Sequence, residues 1–272
     1  MLDGAAVPNL AAVLHPRDRV VYFCEGSYAE YVAVPASTVA AVPEALSLDA
    51  AVSLTVQGWT AHYLTHSTVP LSAKDDVVVT AAAGGTGKLV VQMARKAGAR
   101  VLGLVSTNAK AEIAVRCGCD STLIYRSPRA GSSDDGAIDF SAAVREWSRD
   151  GAGASVVYDS VGRSTAAASL ASLRPRGTCV FFGNSSGAPA AIEPLTLASH
   201  GSLYITRPIL NHYLLTPEET AWRAREVFGW AAEGSLTWEV QVGKLKLQDA
   251  ARAHELLESG TTTGKLLLDL SL

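Results

Sequence analysis

The sequence predicts an α/β protein built on a doubly wound parallel sheet, and three observations support this prediction. From Val77 onward, short runs of β-branched residues alternate with segments of helical length, as in a parallel sheet covered on both faces. A glycine-rich stretch directly follows the first of these runs and opens a helix. The 272-residue chain is 48% hydrophobic and 18% charged, which is typical of a globular α/β protein and not of a disordered one.

The segments from residue 77 to residue 125 follow a strand–helix order. Short β-branched runs indicate strands, and apolar residues at helical spacing indicate helices. Gly98 and Gly118 end the two helices, because glycine adopts the left-handed conformation of a helix C-terminus. In order, the segments are strand 77–80, helix 89–97, strand 101–105, helix 108–116 and strand 122–125. This β-α-β-α-β series is half of a doubly wound fold.

The second half of the sheet follows a stretch of Pro, Gly, Ser and Asp at 127–136, which predicts a surface loop. Beyond this loop the alternation resumes, with helix 140–148, strand 155–159, helix 164–173, strand 178–183 and strand 202–206. The last strand ends at Arg207-Pro208, because proline cannot donate a hydrogen bond to a neighbouring strand. We therefore expect the sheet domain to end there.

The segments that flank the sheet predict a second domain of a different kind, with antiparallel strands and helices. Thr216-Pro217-Glu218-Glu219 forms a capping box, with proline at the first helical position. The flanking elements are strands 19–23 and 27–34, a helix at 43–65 that breaks near Gly58, a helix that ends at Gly234, a helix at 248–258 and an apolar run at 266–268.

Bulk composition argues against several classes of protein. A formal net charge of -3 does not fit nucleic-acid binding, which needs a basic face. Four cysteines are too few for a disulfide framework, and Cys117 and Cys119 lack the C-x2-C spacing of a zinc site, so no metal is predicted. Residues 1–4 carry no basic n-region, and no apolar run has the length of a membrane span. A cytoplasmic protein is expected.

The glycine-rich stretch at 81–87 (AAAGGTG) indicates a nucleotide cofactor. Glycines between a strand and a helix let the backbone approach a pyrophosphate, and the helix N-terminus supplies N–H groups to bind it. The stretch does not match the phosphate loop of nucleoside triphosphatases, because residue 82 is alanine and Leu89 follows Lys88. We interpret it as a dinucleotide site, and a tight turn without a ligand is the alternative.

The end of the second strand indicates which dinucleotide fits. An NAD site places an acidic side chain about 20 residues after the glycines, where it binds the ribose 2′-hydroxyl. The sequence from Val105 to Lys110 contains no carboxylate, and Glu112 is the first acid. Hydroxyl groups and the Lys110 ammonium suit a 2′-phosphate, so the sequence predicts NADPH. An ordinary solvated helix lysine is the alternative for Lys110.

Five motifs together resemble one protein family. They are 26–31 (GSYAEY), 81–87 (AAAGGTG), 157–162 (VYDSVG), 182–187 (FGNSSG) and 201–208 (GSLYITRP). From Asp18 to near its C-terminus the chain resembles the zinc-independent NADPH:quinone oxidoreductases of the medium-chain dehydrogenase/reductase superfamily, the zeta-crystallin type. The resemblance implies an NADPH-binding Rossmann domain inserted into a GroES-like, β-rich catalytic domain, and hydride transfer to quinones, enones or other activated carbonyl conjugates.

The resemblance also predicts domains and assembly. Residues 1–58 are expected to form a partial GroES-like catalytic domain, 59–208 the Rossmann domain, and 209–272 a C-terminal segment that returns to the catalytic domain. Relatives begin with a longer β-rich segment that walls the substrate side, so an N-terminally truncated chain is expected. An NADPH-binding protein with little turnover is therefore the alternative to an active reductase. Apolar edge strands at 178–182 and 202–206 predict a homodimer.

The resemblance assigns roles to individual positions. Thr60 and Tyr63 would contact the nicotinamide side and Arg207 would lie near the reacting ring, so Tyr63 and Arg207 are the expected catalytic residues. Lys110 and Tyr125 would bind the 2′-phosphate. The other expected cofactor-binding residues are Gly84, Gly85, Thr86, Gly87, Ser160, Gly183, Asn184 and Ser185. No catalytic histidine and no metal ligand is implied.

Overall fold

The computed structural model describes residues 14–125, 138–238, 240–259 and 265–271. The chain divides into two compact units, which we call the sheet unit (Leu64–Ile209) and the split unit (Met1–Tyr63 with Leu210–Leu272). The surface loop predicted at 127–136 lies outside the described residues. None of the helices formed by the described residues combines the length and the apolar character needed to cross a bilayer.

The strands and helices alternate through the middle of the chain, as the sequence predicts. The strands are β1 (Val20–Tyr22), β2 (Val39–Ala41), β3 (Asp76–Thr80), β4 (Arg100–Val105), β5 (Ser121–Ile124), β6 (Ala154–Asp159), β7 (Leu173–Phe181), β8 (Tyr204–Thr206), β9 (Val240–Lys246) and β10 (Lys265–Asp269). The α-helices are α1 (Leu48–Tyr63), α2 (Gly85–Lys96), α3 (Asn108–Arg116), α4 (Ser141–Trp147), α5 (Ala166–Ala171), α6 (Pro194–Ser199), α7 (Pro217–Ala232) and α8 (Ala250–Glu258).

The sheet unit contains six parallel strands in the order β5-β4-β3-β6-β7-β8. The order reverses at β3, which pairs with β4 on one side and with β6 on the other, so Val77 lies between Val101 and Val156. A reversal of this kind defines a doubly wound fold and leaves a crevice beyond the carboxyl ends of the strands. The predicted fold class is therefore confirmed.

The core of the sheet unit forms because its central strand is covered on both faces. Every residue of β3 is buried, which explains its uninterrupted valines. On α2, Leu89, Val90, Met93 and Ala94 are buried at helical spacing, while Arg95 and Lys96 occupy the last turn, where basic side chains interact favourably with the helix dipole. Apolar burial of this kind supplies most of the free energy that holds the layers together.

The described residues of the split unit form two small sheets and three α-helices: α1, α7 and α8. β1 pairs with β2 in antiparallel fashion, and β9 pairs with β10 in parallel fashion. α1 packs against α7, and the rings of Trp59 and Phe228 lie 6.2 Å apart between them. Thr216 caps α7 by accepting a hydrogen bond from the Glu219 N–H at 3.2 Å, as the predicted capping box requires. The Glu219 carboxylate accepts the N–H of Leu215 at 2.9 Å, one residue before the position that a capping box uses.

Several predicted elements of the flanking segments are wrong. Residues 27–34 form no strand, and Tyr31 is 91% exposed, whereas β1 pairs with β2, which the sequence did not indicate. α1 begins at Leu48, after Ser47 accepts the Ala50 N–H, and runs through Gly58 without the predicted break. A Cβ at Gly58 would lie 2.8 Å from Val227 Cγ1, so this glycine serves close helix packing. The irregular turn comes later, as a π-helical turn at Leu64–Thr68.

Predicted boundaries in the second half of the sheet also shift. The helix predicted at 164–173 spans only Ala166–Ala171, and the strand predicted from 178 begins at Leu173. β7 gains this length through a register irregularity against β6, between the pairings of Ala154 and Val156. The strand predicted at 202–206 is confined to Tyr204–Thr206, and α6 and β9 were not predicted.

Candidate cofactor-binding site

The carboxyl ends of the strands meet at one edge of the sheet unit, and most of the predicted site residues lie in the loops that follow them. Thr80 ends β3, Asp159 ends β6 and Phe181 ends β7. Ligands of doubly wound sheets bind at this edge, next to the point where the strand order reverses. We call residues 81–87 the glycine turn, 160–165 the β6 loop and 182–187 the β7 loop.

The glycine turn places the N-terminus of α2 against the end of β3. Ala81 has a φ of 47° and accepts a hydrogen bond from the Gly84 N–H at 2.8 Å, after which α2 begins at Gly85. A Cβ at Gly87 would lie 2.3 Å from the Ala81 carbonyl oxygen, so only glycine allows this approach. No side chain caps the helix, and the N–H groups of its first turn, which includes Thr86, are oriented to bind an anion.

A lysine lies beside the end of β4. Thr107 caps α3 by accepting the Lys110 N–H at 3.2 Å, and the Lys110 ammonium donates to the Ser106 hydroxyl at 3.4 Å. Glu112, the first acid of the segment, is exposed on α3. The position that holds an acid in NAD sites therefore presents hydroxyl groups and one ammonium.

Tyr125 follows β5, the neighbouring strand, and is held there by its N–H, which donates to the Val105 carbonyl at 2.9 Å. Burial, with a smaller contribution from the charge of Asp159, raises the pKa of the Tyr125 hydroxyl. The hydroxyl therefore stays protonated and remains a hydrogen-bond donor across the neutral range. Lys110 and Tyr125 thus follow adjacent strands, and Tyr125 lines a cavity of about 510 Å³ together with Ile138 and Phe140.

The β6 and β7 loops are joined by main-chain hydrogen bonds. The Ser185 N–H donates to the Ser160 carbonyl at 3.2 Å, the Ser186 N–H to the Val161 carbonyl at 2.9 Å, and the Arg163 N–H to the Gly187 carbonyl at 3.0 Å. Gly183 permits this approach, because a Cβ there would lie 2.7 Å from the Ser160 carbonyl oxygen. The structure therefore brings the predicted residues Ser160, Gly183, Asn184 and Ser185 together.

Asp159, which the sequence reasoning did not select, is the fully buried centre of this edge. Its carboxylate accepts hydrogen bonds from the N–H groups of Val161 at 2.8 Å and Gly162 at 3.1 Å, and from the hydroxyls of Thr165 at 2.8 Å and Ser169 at 2.6 Å. The signal was present in VYDSVG, because a carboxylate that ends a buried apolar strand needs several donors.

A cavity of about 440 Å³ lies at the ends of β7 and β8. Its polar lining residues are Arg207, which is charged, Asn184, which carries an amide, and Thr206, which carries a hydroxyl. The other lining residues are apolar: Phe181, Pro189, Ala190, Ile192 and Ile205. The Arg207 guanidinium donates to the Pro208 carbonyl at 2.9 Å, which holds it beside the cavity. An apolar cavity with a few polar groups suits a flat organic molecule.

Thr60 and Tyr63 belong to the split unit, at the end of α1. Thr60 is partly buried. Tyr63 is 2% exposed, and its ring stacks on that of Tyr213 with centroids 4.2 Å apart and planes 9° apart. Tyr63 is therefore part of a packed aromatic pair within its own unit.

The split unit also contains a buried polar cluster that the sequence did not reveal. His62 Nε2 lies 2.8 Å from Glu226 Oε2, and His62 Nδ1 lies 3.3 Å from an Arg223 guanidinium nitrogen. Because arginine only donates, Nδ1 must accept, and Nε2 therefore carries the proton and donates to Glu226. Arg223 also donates to the Tyr213 carbonyl at 2.9 Å. The partners are 161 and 164 residues from His62 in sequence, so no local pattern indicates the cluster.

Comparison with known proteins gives consistent matches. The profile of a family described as zinc-binding dehydrogenase matches residues 85–219. Quinone oxidoreductase 1 of Escherichia coli is 37% identical over 268 residues, which cover 97% of this chain and 77% of the relative. The 2-haloacrylate reductase of a Burkholderia species is 38% identical over 246 residues, which cover 89% of this chain and 70% of that relative.

Solved structures match the fold as well. A mycobacterial structure in complex with NADPH superposes with a TM-score of 0.84 at 41% identity, covering 93% of this chain and 74% of that one. The Escherichia coli quinone oxidoreductase in complex with NADPH superposes with a TM-score of 0.81 at 35% identity, covering 92% of this chain and 75% of that one.

Because the matching family is described as a zinc-binding dehydrogenase, the buried thiols of the sheet unit, Cys119 and Cys179, are candidates for zinc ligands. A zinc ligand must be a thiolate. Burial, followed by the charges of Cys117 and Asp120, raises the pKa of Cys119 to about 12. Burial, with the charge of Asp159, also raises the pKa of Cys179 well above its ordinary value. Both buried thiols are therefore neutral in the metal-free protein, and among the described residues neither belongs to a group of three potential metal ligands.

Proposed function

Because the chain belongs to the quinone oxidoreductase family of the medium-chain dehydrogenase/reductase superfamily, we propose that it binds NADPH and reduces quinones or related activated carbonyl conjugates. The comparisons agree with the motifs that first suggested this family, and they identify the chain as an oxidoreductase.

The observation that supports the proposal most directly is the glycine turn, in which Gly87 packs against Ala81 and no side chain forms a capping hydrogen bond at the start of α2. In this arrangement the N–H groups of the helix bind a pyrophosphate. Lys110 and Tyr125, at the ends of β4 and β5, supply a cation and a hydroxyl for a 2′-phosphate. The absence of an acid before Glu112 removes the repulsion that an NAD site would present.

Bound NADPH supplies a hydride, and the residues of the chain bind and orient the reactants. Ser160, Gly183, Asn184 and Ser185 line the edge beyond the pyrophosphate position. Arg207 lines the cavity and can donate a hydrogen bond to a carbonyl oxygen of an acceptor, beside the apolar side chains that contact its flat face. The roles of Thr60 and Tyr63, and the catalytic role of residues 1–58 and 209–272, rest on the resemblance alone.

The cofactor assignment is tested by titrating the intrinsic fluorescence of the protein with NADPH and with NADH. We expect NADPH to bind at far lower concentration. Lys110→Glu should weaken NADPH selectively, and Lys74→Glu, the same charge reversal at an exposed lysine beyond the other edge of the sheet, should change neither affinity. Equal affinities of the wild-type protein for both cofactors would refute the assignment.

The acceptor is tested by following NADPH oxidation with 1,4-benzoquinone, with a simple enone and with 2-chloroacrylate. The first two represent the proposed class, and the third represents the substrate named for the Burkholderia relative. We expect turnover with a quinone or an enone, and Arg207→Gln should lower kcat/KM for the acceptor more than it changes the affinity for NADPH. NADPH binding without turnover of any acceptor would contradict reductase activity.

We also propose that the protein is a homodimer through the outer edge of β8. β8 is the last strand of the sheet, and Tyr204 is 62% and Ile205 39% exposed on it. An exposed apolar edge strand commonly pairs across a two-fold axis. Light scattering should give twice the chain mass, and Tyr204→Lys should shift the mass toward that of one chain. A monomer mass for the wild type at micromolar concentration contradicts the proposal.

A further inference from the structure

Asp159 is a fully buried carboxylate that has no ion-pair partner among the described residues. Its negative charge is balanced only by hydrogen-bond donors. A buried charge is costly unless several donors replace its water, so a chain that retains such a group must hold those donors in place. The donors of Asp159 come from the elements that surround the proposed cofactor site.

The first group of donors orders the β6 loop. Asp159 Oδ1 accepts the N–H of Val161 at 2.8 Å and that of Gly162 at 3.1 Å, which fixes the turn directly after Ser160. The Thr165 hydroxyl lies 2.9 Å and 2.8 Å from the two carboxylate oxygens, and the Ser169 hydroxyl donates to Oδ2 at 2.6 Å. These contacts hold the loop from its start to the first turns of α5.

The second group joins Asp159 to the neighbouring strand ends. The Thr80 hydroxyl, directly before the glycine turn, lies 3.4 Å from Asp159 Oδ1 and accepts the Ser160 N–H at 2.9 Å. On the other side, the main-chain carbonyl of Asp159 accepts the Phe182 N–H at 2.8 Å, where the β7 loop begins. One residue therefore contacts the ends of β3 and β7 as well as its own loop.

We propose that Asp159 is a positioning residue that fixes the β6 and β7 loops relative to the glycine turn, so that affinity for NADPH depends on its carboxylate. The inference rests on the proposed function, because these loops are the proposed cofactor site. Asp159 itself touches neither reactant; it acts through Ser160, Gly183 and the residues that follow them.

The chemistry of the group explains why a carboxylate is required. A carboxylate only accepts hydrogen bonds, and its two oxygens offer about four lone-pair sites, which match the four donors at 3.1 Å or less: the N–H groups of Val161 and Gly162 and the hydroxyls of Thr165 and Ser169. Asparagine has the same shape but replaces one oxygen with an NH2 group, which would face an N–H or O–H donor. If the amide oxygen stays toward the N–H groups of Val161 and Gly162, the NH2 group faces the Thr165 and Ser169 hydroxyls, which must turn from donors into acceptors. All of these hydrogen bonds then lose the added strength that the negative charge of the carboxylate gives them. We expect Asp159→Asn to weaken NADPH binding at least tenfold.

A matched control separates positioning from general stability. Asp76 is also a buried aspartate of the sheet unit, and it accepts the Arg149 N–H at 2.8 Å, but it begins β3 at the opposite edge of the sheet. Asp76→Asn should lower the unfolding temperature without changing affinity for NADPH. Asp159→Asn should change the affinity for NADPH and leave that for adenosine 2′-monophosphate unchanged, because the latter needs only the region of Lys110 and Tyr125.

The test measures NADPH and adenosine 2′-monophosphate affinities for the wild type and both variants. If folded Asp159→Asn binds NADPH like the wild type, the proposal is overturned. It is equally overturned if Asp76→Asn loses as much NADPH affinity, or if Asp159→Asn loses both ligands in parallel. A wild-type protein that does not bind NADPH overturns the proposed function itself, which is a different result.

A second pair of variants keeps the proposal testable should Asp159→Asn fail to fold. Thr165→Val removes the hydroxyl that lies between the two carboxylate oxygens, at nearly constant volume, and Thr165→Ser retains it. We expect Thr165→Val to weaken NADPH several-fold and Thr165→Ser to restore the wild-type affinity. Equal NADPH affinities of the two variants would overturn the role of the network around Asp159.

Discussion

Replacing Gly87 with alanine should damage the glycine turn and with it NADPH binding. In an ordinary helix this change stabilises the fold, because alanine has a helix propensity about 1 kcal/mol better than glycine. At position 87 the new Cβ would lie 2.3 Å from the Ala81 carbonyl oxygen and 3.1 Å from its carbonyl carbon. Both neighbours are main-chain atoms, so no side chain can rotate away.

The size of the effect follows from that contact. Real Cβ atoms essentially never come within 3.0 Å of such a neighbour, and the distance of 2.3 Å is 0.7 Å shorter than this limit. The glycine turn and the start of α2 must therefore separate. Forcing extra volume into a packed site costs about 1–3 kcal/mol. Displacing N–H groups that bind a charged phosphate removes about 1.5–3 kcal/mol per hydrogen bond, which corresponds to a roughly 10- to 100-fold loss of NADPH affinity.

Gly229 provides the matched control, because it is also a helical glycine and a Cβ there would have no atom within 4 Å. We expect Gly229→Ala to raise the unfolding temperature by roughly 2 °C and to leave NADPH affinity unchanged. Both variants are compared with the wild type by calorimetry and by NADPH fluorescence titration. If Gly87→Ala is as stable as Gly229→Ala and binds NADPH as the wild type does, the assignment of the glycine turn is refuted.

Three further predictions concern other groups. Arg223→Met should lower Tm by roughly 5–10 °C, because it leaves the Tyr213 carbonyl and His62 Nδ1 buried without this donor; an unchanged Tm in calorimetry contradicts this. Asp269 has a lowered pKa because the Ser271 hydroxyl and Lys244 donate to it, so its stabilisation is present above its ordinary pKa of 3.8 and is lost as pH falls toward the lowered value. Asp269→Asn should therefore flatten the dependence of Tm on pH in acid, and parallel Tm curves for variant and wild type would disprove this. Tyr125→Phe should weaken NADPH but not NADH in titrations, since it removes only a donor to the 2′-phosphate; equal losses would exclude that role.

The sequence predicts the sheet unit well because its signals are local. Continuous valines in β3 reflect burial on both faces, and the apolar spacing of α2 reflects one covered face. Gly98 and Gly118 have φ values of 83° and 109°, as residues after a helix end require. These features depend on residues within one or two turns of each other, so they can be read from the chain directly.

The split unit is less predictable because its structure depends on distant partners. Gly58 suggests a helix break until α7 is placed beside it. The alternating residues at 27–34 have the pattern of a strand, but a strand also requires a neighbour, and β1 is paired with β2. Pairing between segments that are far apart in sequence is not encoded in any local window.

The candidate site also contains some residues that the sequence predicts and others that only the structure shows. The glycine turn and Lys110 follow from motif and position, and the structure places both at the carboxyl edge of the sheet. Asp159 has a local signal, its place at the end of a buried apolar strand, but its donors are seen only in the structure. The cluster of His62 with Glu226 and Arg223 has no local signal and becomes apparent only when its partners are known. A titratable residue in a one-dimensional sequence carries no record of its burial.

Three main-chain hydrogen bonds join the β6 and β7 loops, and the Ser186 hydroxyl adds two more by accepting the Ser164 N–H and donating to the Val161 carbonyl. Side chains at Ser160, Asn184 and Ser185 can be exchanged without removing the bonds from Ser185 to Ser160 or from Arg163 to Gly187. The loops therefore form a frame whose geometry depends on Asp159 and the Ser186 hydroxyl but little on the side chains of Ser160, Asn184 and Ser185. New preferences for a reactant can accumulate there one substitution at a time while the protein continues to fold, which makes this edge a favourable target for directed evolution.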